Sequence, residues 1–373
     1  LNPAFRRLFD PFELSSGIKL PNRIVMAPMT TWSSYPDGVV HPDEIAYLYR
    51  RSEGLGAVIT AACYVNPQGH AFPGQWACDN DSRLDSLALA ARTIQVRGAR
   101  AFLQIHHGGR MCSSAVSGHA PLSASPIPAE RPGAETPREM TIEEIMETID
   151  AFAAATRRAV QAGYDGVEIH GANTYLLQQF FSPHSNRRGD EWGGTLHRRM
   201  RFPLAVLDAV LSAASEAGRS FAVGYRISPE EIEEPGIRIE ETLELIEALA
   251  ERKPDWLHIS TRDYRAGSLL ESADKRRPTR LVIEKLAGGV PVIGVGGIIT
   301  PSDAMFALDD GCALAALGRV LLTEPEWVLK VLDGEADDIR SSLPAENAEN
   351  LLTLPRPLYD RLLAVPGWLK VAD

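Results

Sequence analysis

The chain has 373 residues, 45% of them hydrophobic, which is ordinary for a globular protein with a large core. Lys and Arg total 38 against 49 Asp and Glu, a formal net charge of −11. An acidic chain repels phosphate backbones, so no nucleic-acid partner is expected. No run of about 18 apolar residues occurs, so no membrane-spanning helix is expected either.

The chain opens on Leu1-Asn2-Pro3, without the basic and apolar regions of a signal peptide. Cys63, Cys78, Cys112 and Cys312 are scattered and form no C-x-x-C pair. Thiols so placed suit a reducing, cytoplasmic setting, not a disulfide framework or an iron–sulfur ligand run.

In chain order, Phe12 to Leu20 reads as a small hairpin around Ser16-Gly17. Short apolar runs then recur at Arg23 to Met26, Ala57 to Thr60, Ala101 to Ile105 and Gly166 to Ile169. They continue at Phe221 to Tyr225, Trp256 to Ile259, Val290 to Ile293 and Ala313 to Leu317. Between them lie amphipathic stretches. Thr141 to Gln161 is the clearest, with Thr141 as N-cap, Glu144 completing a capping box, and a stripe of Ile145, Ile149, Phe152 and Ala153. Similar stripes follow at Met200 to Leu211 and Glu240 to Leu249, and Pro301 opens another helix. Strand–helix units in series predict an α/β fold, a (β/α)8 TIM barrel, with the hairpin as an N-terminal lid over its bottom. One long loop, Gly108 to Glu139 after strand three, has no periodicity. The chain is expected to form a single domain over 1–373. Residues 334–373 would be a C-terminal helical extension docked through Leu351 to Leu354 and Tyr359 to Leu363.

Barrel active sites are built past the strand ends. Strand one ends in Ala27-Pro28-Met29-Thr30, where small and rigid residues let a flat ligand lie against the backbone. Strand two ends in Ala61-Ala62-Cys63, small again, with Cys63 read as a buried apolar residue. Gln104, ending strand three, can both donate and accept, which suits a pyrimidine-like ring edge. The adjacent His106 and His107 point to opposite sides of an extended chain and make a poor metal pair. Strand four runs into His170, Asn173 and Tyr175. Two donors can hold an oxygen that gains charge, and a phenol beside them can act as a general acid. Arg226 on strand five needs an anion or acceptor. Gly296 and Gly297 after strand seven, with Gly318-Arg319 after strand eight, match the usual barrel phosphate site. Together these describe a long ligand with a phosphate at one end and a planar ring at the mouth. Flavin mononucleotide fits that description.

The same residues resemble the old yellow enzymes, NAD(P)H-dependent FMN oxidoreductases that include many ene-reductases. The similarity runs from about Leu8 to about Trp327. It is most specific in Tyr164 to Gly194, which holds Asp165-Gly166-Val167-Glu168-Ile169-His170, Tyr175 to Pro183 and Ser185-Asn186-Arg187-Arg188. Asn22 to Thr30 and Gly318-Arg319 match as well. The resemblance implies that Ala27, Pro28, Met29, Thr30 and Ala62 line the flavin, that Gln104 and Arg226 bind its pyrimidine side, and that Gly296, Gly297, Gly318 and Arg319 hold its phosphate. It further implies NAD(P)H as hydride donor and a small-molecule acceptor whose oxygen sits on His170 and Asn173, with Tyr175 as proton donor. A homo-oligomer is compatible with it. Trp32 stands in a substrate-pocket position where relatives carry a smaller aromatic residue, and Thr30 where some carry Cys. A Schiff-base aldolase would need a strand-end lysine, whereas the lysines here read as loop or helix residues. A flavin enzyme acting on tRNA uridine is disfavoured by the charge. A non-catalytic flavin-binding barrel would be yellow but would not oxidise NAD(P)H.

Overall fold

The computed structural model describes residues 1–270, 273–365 and 367–372. Eight short strands form its centre: β1 Ile24–Met26, β2 Ala57–Ile59, β3 Arg100–His106, β4 Gly166–Gly171, β5 Ala222–Ile227, β6 Trp256–Ser260, β7 Val292–Val295 and β8 Leu314–Leu317. Each pairs in parallel with the next, and β8 pairs with β1, so the sheet closes into the expected barrel. Helices follow the strands: α1 Pro42–Arg51, α2 Leu84–Gln95, α3 Ile142–Gln161, α4 Leu196–Ser215, α5 Ile239–Glu251, α6 Pro278–Leu286, α7 Pro301–Asp309 and α8 Trp327–Asp333.

Local chemistry sets these ends. The Thr141 and Glu144 side chains form the predicted reciprocal cap on α3, which buries Ile145, Ile149 and Phe152. Helix α4 begins four residues before its expected stripe, because the Thr195 side chain accepts from the Arg198 N–H.

Alternation along the strands sorts side chains to two cores. Val25, Ala57, Ile59, Phe102, Ala222, Trp256, Ile293 and Leu314 form an inner cluster with Leu14, Ile18 and Leu20 of the N-terminal hairpin. That hairpin, Phe12–Glu13 with Lys19–Leu20, therefore plugs the barrel bottom, and the Asp255 carboxylate fastens it by accepting from the Ser16 N–H at 2.7 Å and the Ser15 hydroxyl at 2.9 Å. Their neighbours, such as Ile24, Val58, Leu103, Val167 and Leu257, face outward to the helices.

Two expectations need correction, and the long loop proves to be tied down. The extension beyond Asp333 is not purely helical: Ser342–Leu343 pairs in parallel with Lys370–Val371, while Pro366 and Asp373 lie outside the described residues. Its contacts are Leu352, Leu354, Leu358 and Leu362, whereas Leu351 and Leu363 stay half exposed; only one face of each short helix meets the barrel. The long loop after β3 is pinned despite its lack of periodicity. Leu122–Ser123 pairs with Arg138–Glu139, and the Arg188 guanidinium donates to Ala124 O at 3.2 Å and Met140 O at 2.7 Å. Lys19 and Lys370 lie in two-residue strands outside the barrel, not in loops or helices.

Candidate active site

Beyond the ends of β1, β5, β7 and β8 lies a cavity of about 750 Å³, a size typical of small-ligand sites. Ala27, Pro28, Met29 and Arg226 line it. Gly296, Gly297, Gly318 and Arg319 line it as well. Gly296 has φ +113°, and a Cβ there would lie 2.4 Å from Thr261 O, so only glycine makes this turn. The two amides just before α7 are engaged within the chain: Ile299 N and Thr300 N donate to Asp303 Oδ2 at 2.9 and 2.7 Å. Arg262 and Lys370 line the same cavity, are exposed and have no ion-pair partner among the described residues. The sequence reading missed both, since nothing local ties the loop after β6 or the C-terminal segment to this mouth.

The predicted oxygen-binding group assembles around β4. Ala172 N–H donates to His170 Nδ1 at 3.3 Å, so the neutral ring carries its proton on Nε2. Burial, reinforced by His106, Arg226 and His258, keeps His170 well below the usual histidine range and thus uncharged at neutral pH. The Asn173 N–H donates to Ser228 Oγ at 2.9 Å. Its Oδ1 accepts from Ser260 Oγ at 3.0 Å, and Ser260 Oγ in turn accepts from Arg226 Nη2 at 3.0 Å. This fixes the amide with Nδ2 as its remaining donor and links Asn173 to the cavity through Ser260 and Arg226. The serines were not predicted; period-two alternation from Arg226 and Trp256 would have marked them as inward-facing. Asn173 and Thr174 both sit in left-handed backbone, φ 55° and 65°, and Thr174 N–H is caught by Gln178 Oε1 at 2.9 Å.

Tyr175 packs edge-on to two histidines, with ring centroids 4.2 Å from His106 and 5.0 Å from His170. Burial pushes its hydroxyl up to about 12, so it stays protonated across the physiological range. His106 thus belongs to the ring cluster, a place the sequence reading did not give it. Trp32 reaches the cluster indirectly: its ring lies 6.3 Å from Phe72, which lies 6.5 Å from His106. The Arg361 guanidinium covers the other part of Trp32 at 5.6 Å. Thr30 and Ala62 follow β1 and β2 as expected but do not line the cavity, and neither does Gln104.

Gln104 instead belongs to a polar layer inside the barrel. Its Nε2 donates to Glu168 Oε1 at 2.9 Å. Glu168 Oε2 accepts from Trp256 Nε1 at 2.8 Å and meets His258 Nδ1 at 2.9 Å. Two buried nitrogens in and beside this layer, Arg226 Nε and His258 Nε2, have no partner among the described residues. Burying an unmatched guanidinium nitrogen is costly, so a ligand with acceptors against Arg226 fits this site. A flat ring with carbonyl and ring-nitrogen acceptors and a phosphate fits the lining of the cavity, with acceptors for Arg226, small residues against the ring, and glycines with Arg319 for the phosphate.

Barrel and site together are those of a flavin-type oxidoreductase, and comparison with known proteins fixes the class. Residues 7–338 match the NADH:flavin oxidoreductase / NADH oxidase family. The chain is 41% identical to a probable NADH-dependent flavin oxidoreductase, YqiG, of Bacillus subtilis, over the full length of both. It is 46% identical to an NADH:acrylate oxidoreductase of Vibrio harveyi and 43% to an NADH:fumarate oxidoreductase of Klebsiella pneumoniae, each across 95% of this chain. It spans only 36% and 38% of those longer proteins. Among solved structures, an old yellow enzyme homologue from Zymomonas mobilis superposes with TM-score 0.76 at 24% identity, covering 88% of this chain and 92% of that one. Morphinone reductase gives 0.76 at 27% identity, covering 88% and 90%. The chain belongs to the NADH:flavin oxidoreductase / NADH oxidase family, the old yellow enzymes, and is an NADH-dependent flavin oxidoreductase.

Proposed function

We infer that this protein binds FMN in the cavity and uses NAD(P)H to reduce an electron-poor alkene conjugated to an oxygen-bearing group. The carrying observation is the pair of fixed donors, His170 Nε2 and Asn173 Nδ2, beside a phenol that keeps its proton. When bound, the flavin would take hydride from the nicotinamide and give it to the β-carbon of the acceptor. Gly296, Gly297, Gly318 and Arg319 would hold its phosphate; Ala27, Pro28 and Met29 would back its ring. Arg226 and Gln104 would meet the pyrimidine side. His170 and Asn173 bind the acceptor oxygen and stabilise the charge that grows on it. Because His170 is neutral, it serves as a hydrogen-bond donor and not as a fixed cation. Tyr175 then gives its hydroxyl proton to the α-carbon. Names of two longer relatives, oxidoreductases of acrylate and of fumarate, support an activated alkene as acceptor class.

The test is optical. Purified protein should be yellow or take up FMN, and NADH should bleach the colour without acceptor. Adding an α,β-unsaturated carbonyl compound should restore it. Initial rates should give parallel double-reciprocal lines as the acceptor concentration is varied. Bleaching without recovery by any activated alkene would sink the acceptor assignment.

A further inference from the structure

Glu168 is a fully buried carboxylate inside the barrel, distinct from the groups that would touch an acceptor. Burying a carboxylate is costly unless every lone pair is matched, and here the matching is thorough. Gln104 Nε2, Trp256 Nε1 and His258 Nδ1 all converge on it within 2.9 Å. Burial pushes its acidity down, but His258, Arg226 and the Trp256 N–H outweigh that, holding it ionised. The barrel is shaped to permit this convergence. Opposite Glu168 across the β4–β5 pairing stands Gly224. A Cβ there would lie 1.9 Å from Trp256 Cε2, so glycine alone lets the indole cross β5 to the carboxylate.

A carboxylate only accepts. It therefore holds Gln104 by its NH2 end and determines which way round the amide sits. Arg226, which lines the cavity, stands two residues beyond Gly224 on the strand paired with that of Glu168, so the carboxylate sets one negative charge near it. We propose that Glu168 is a positioning residue for the flavin: it orients the Gln104 amide and offsets the Arg226 charge, and so sets both FMN affinity and midpoint potential. Nothing in its hydrogen bonding serves the acceptor side. The inference rests on the FMN reading above.

The experiment titrates apo-protein with FMN by fluorescence quenching and measures the midpoint potential against a reference dye. It uses the wild type, Glu168→Gln, Gln104→Ala and the double variant. Wild type that fails to bind FMN defeats the functional reading itself. If wild type binds, Glu168→Gln should bind FMN at least tenfold more weakly. Its potential should rise, because removing a negative charge favours the more electron-rich reduced form. A tenfold shift of that equilibrium reads as about 30 mV for a two-electron couple. In the Gln104→Ala background the affinity loss should shrink below about threefold, since coupled neighbours are not additive. Full additivity, or unchanged affinity and potential in a variant with wild-type circular dichroism and melting, overturns the proposal. If Glu168→Gln does not fold, Glu168→Asp keeps the charge but withdraws it from Gln104. It should lose FMN affinity while its potential moves less; wild-type affinity there also overturns the proposal.

Discussion

The two halves of the barrel interior are built from different chemistry. Strands β3 to β6 point Gln104, His106, Glu168, His170, Arg226 and His258 inward, and nearly all of these are fully buried. Strands β7, β8, β1 and β2 offer Ile293, Val295, Leu314, Ala316, Val25, Ala27, Ala57 and Ile59. The first half adds oriented donors and acceptors to its inward Phe102, Ala222 and Trp256; the second is an apolar wall. A flat cofactor needs both: an edge that reads its heteroatoms and a face that only has to be close. The lesson is that substitutions in the two halves should fail in different ways.

The largest failure should follow from the polar half. Tyr175→Phe should slow reoxidation by an activated alkene by about 10²–10⁴-fold, the usual value of a positioned acid, while bleaching by NADH survives. Equal loss in both half-reactions in stopped-flow traces would remove Tyr175 from the proton-donor role. On the apolar side, Ala27→Leu should weaken FMN by roughly ten- to hundredfold, because overfilling a packed site costs about 1–3 kcal/mol. Alkene chemistry on the cofactor that does bind should be little changed. A slowed chemical step with normal FMN affinity would erase the contrast between the halves.

Acid should attack the polar half first. Burial holds His106, His107 and His170 below the ordinary histidine value, His107 down to about 3. The unfolded chain takes up protons near pH 6.5 and the native one does not, so stability falls as pH drops from about 6.5 toward 3. One unit below 6.5, each ring costs about 1.4 kcal/mol. Melting temperatures between pH 7 and 5 check this; a flat profile would mean the rings take up protons in the fold as readily as in the unfolded chain. The smallest effect is expected at Trp32, which reaches Tyr175 through the rings of Phe72 and His106. Trp32→Phe should alter relative kcat/KM among bulky and small acceptors by a few-fold, with NADH oxidation unaffected. A change in the NADH half-reaction would place Trp32 nearer the cofactor than its ring contacts indicate.

The same division explains what was legible in the sequence. His170, Asn173 and Tyr175 fall within six residues, so their convergence at one strand end could be read directly. The barrel itself showed in the spacing of short apolar runs, and the α3 cap in Thr141 and Glu144. Glu168, Trp256 and His258 were visible only as polar or aromatic members of strands that lie far apart in the chain. Their meeting depends on closure of the sheet and on the space left by Gly224, neither of which is a local signal. Ser228 and Ser260 were hidden for the same reason. The pairing of Ser342–Leu343 with Lys370–Val371 was illegible because two-residue strands carry no period at all.

The hairpin that fills the barrel bottom has a consequence for traffic. With Leu14, Ile18 and Leu20 seated among the inner residues of the strands, the barrel is a cul-de-sac. On the proposed chemistry, the nicotinamide and the acceptor must queue at one doorway and leave by it. A compound that blocks that doorway should compete with both, and a faster variant would have to hasten departures before it could profit from faster arrivals.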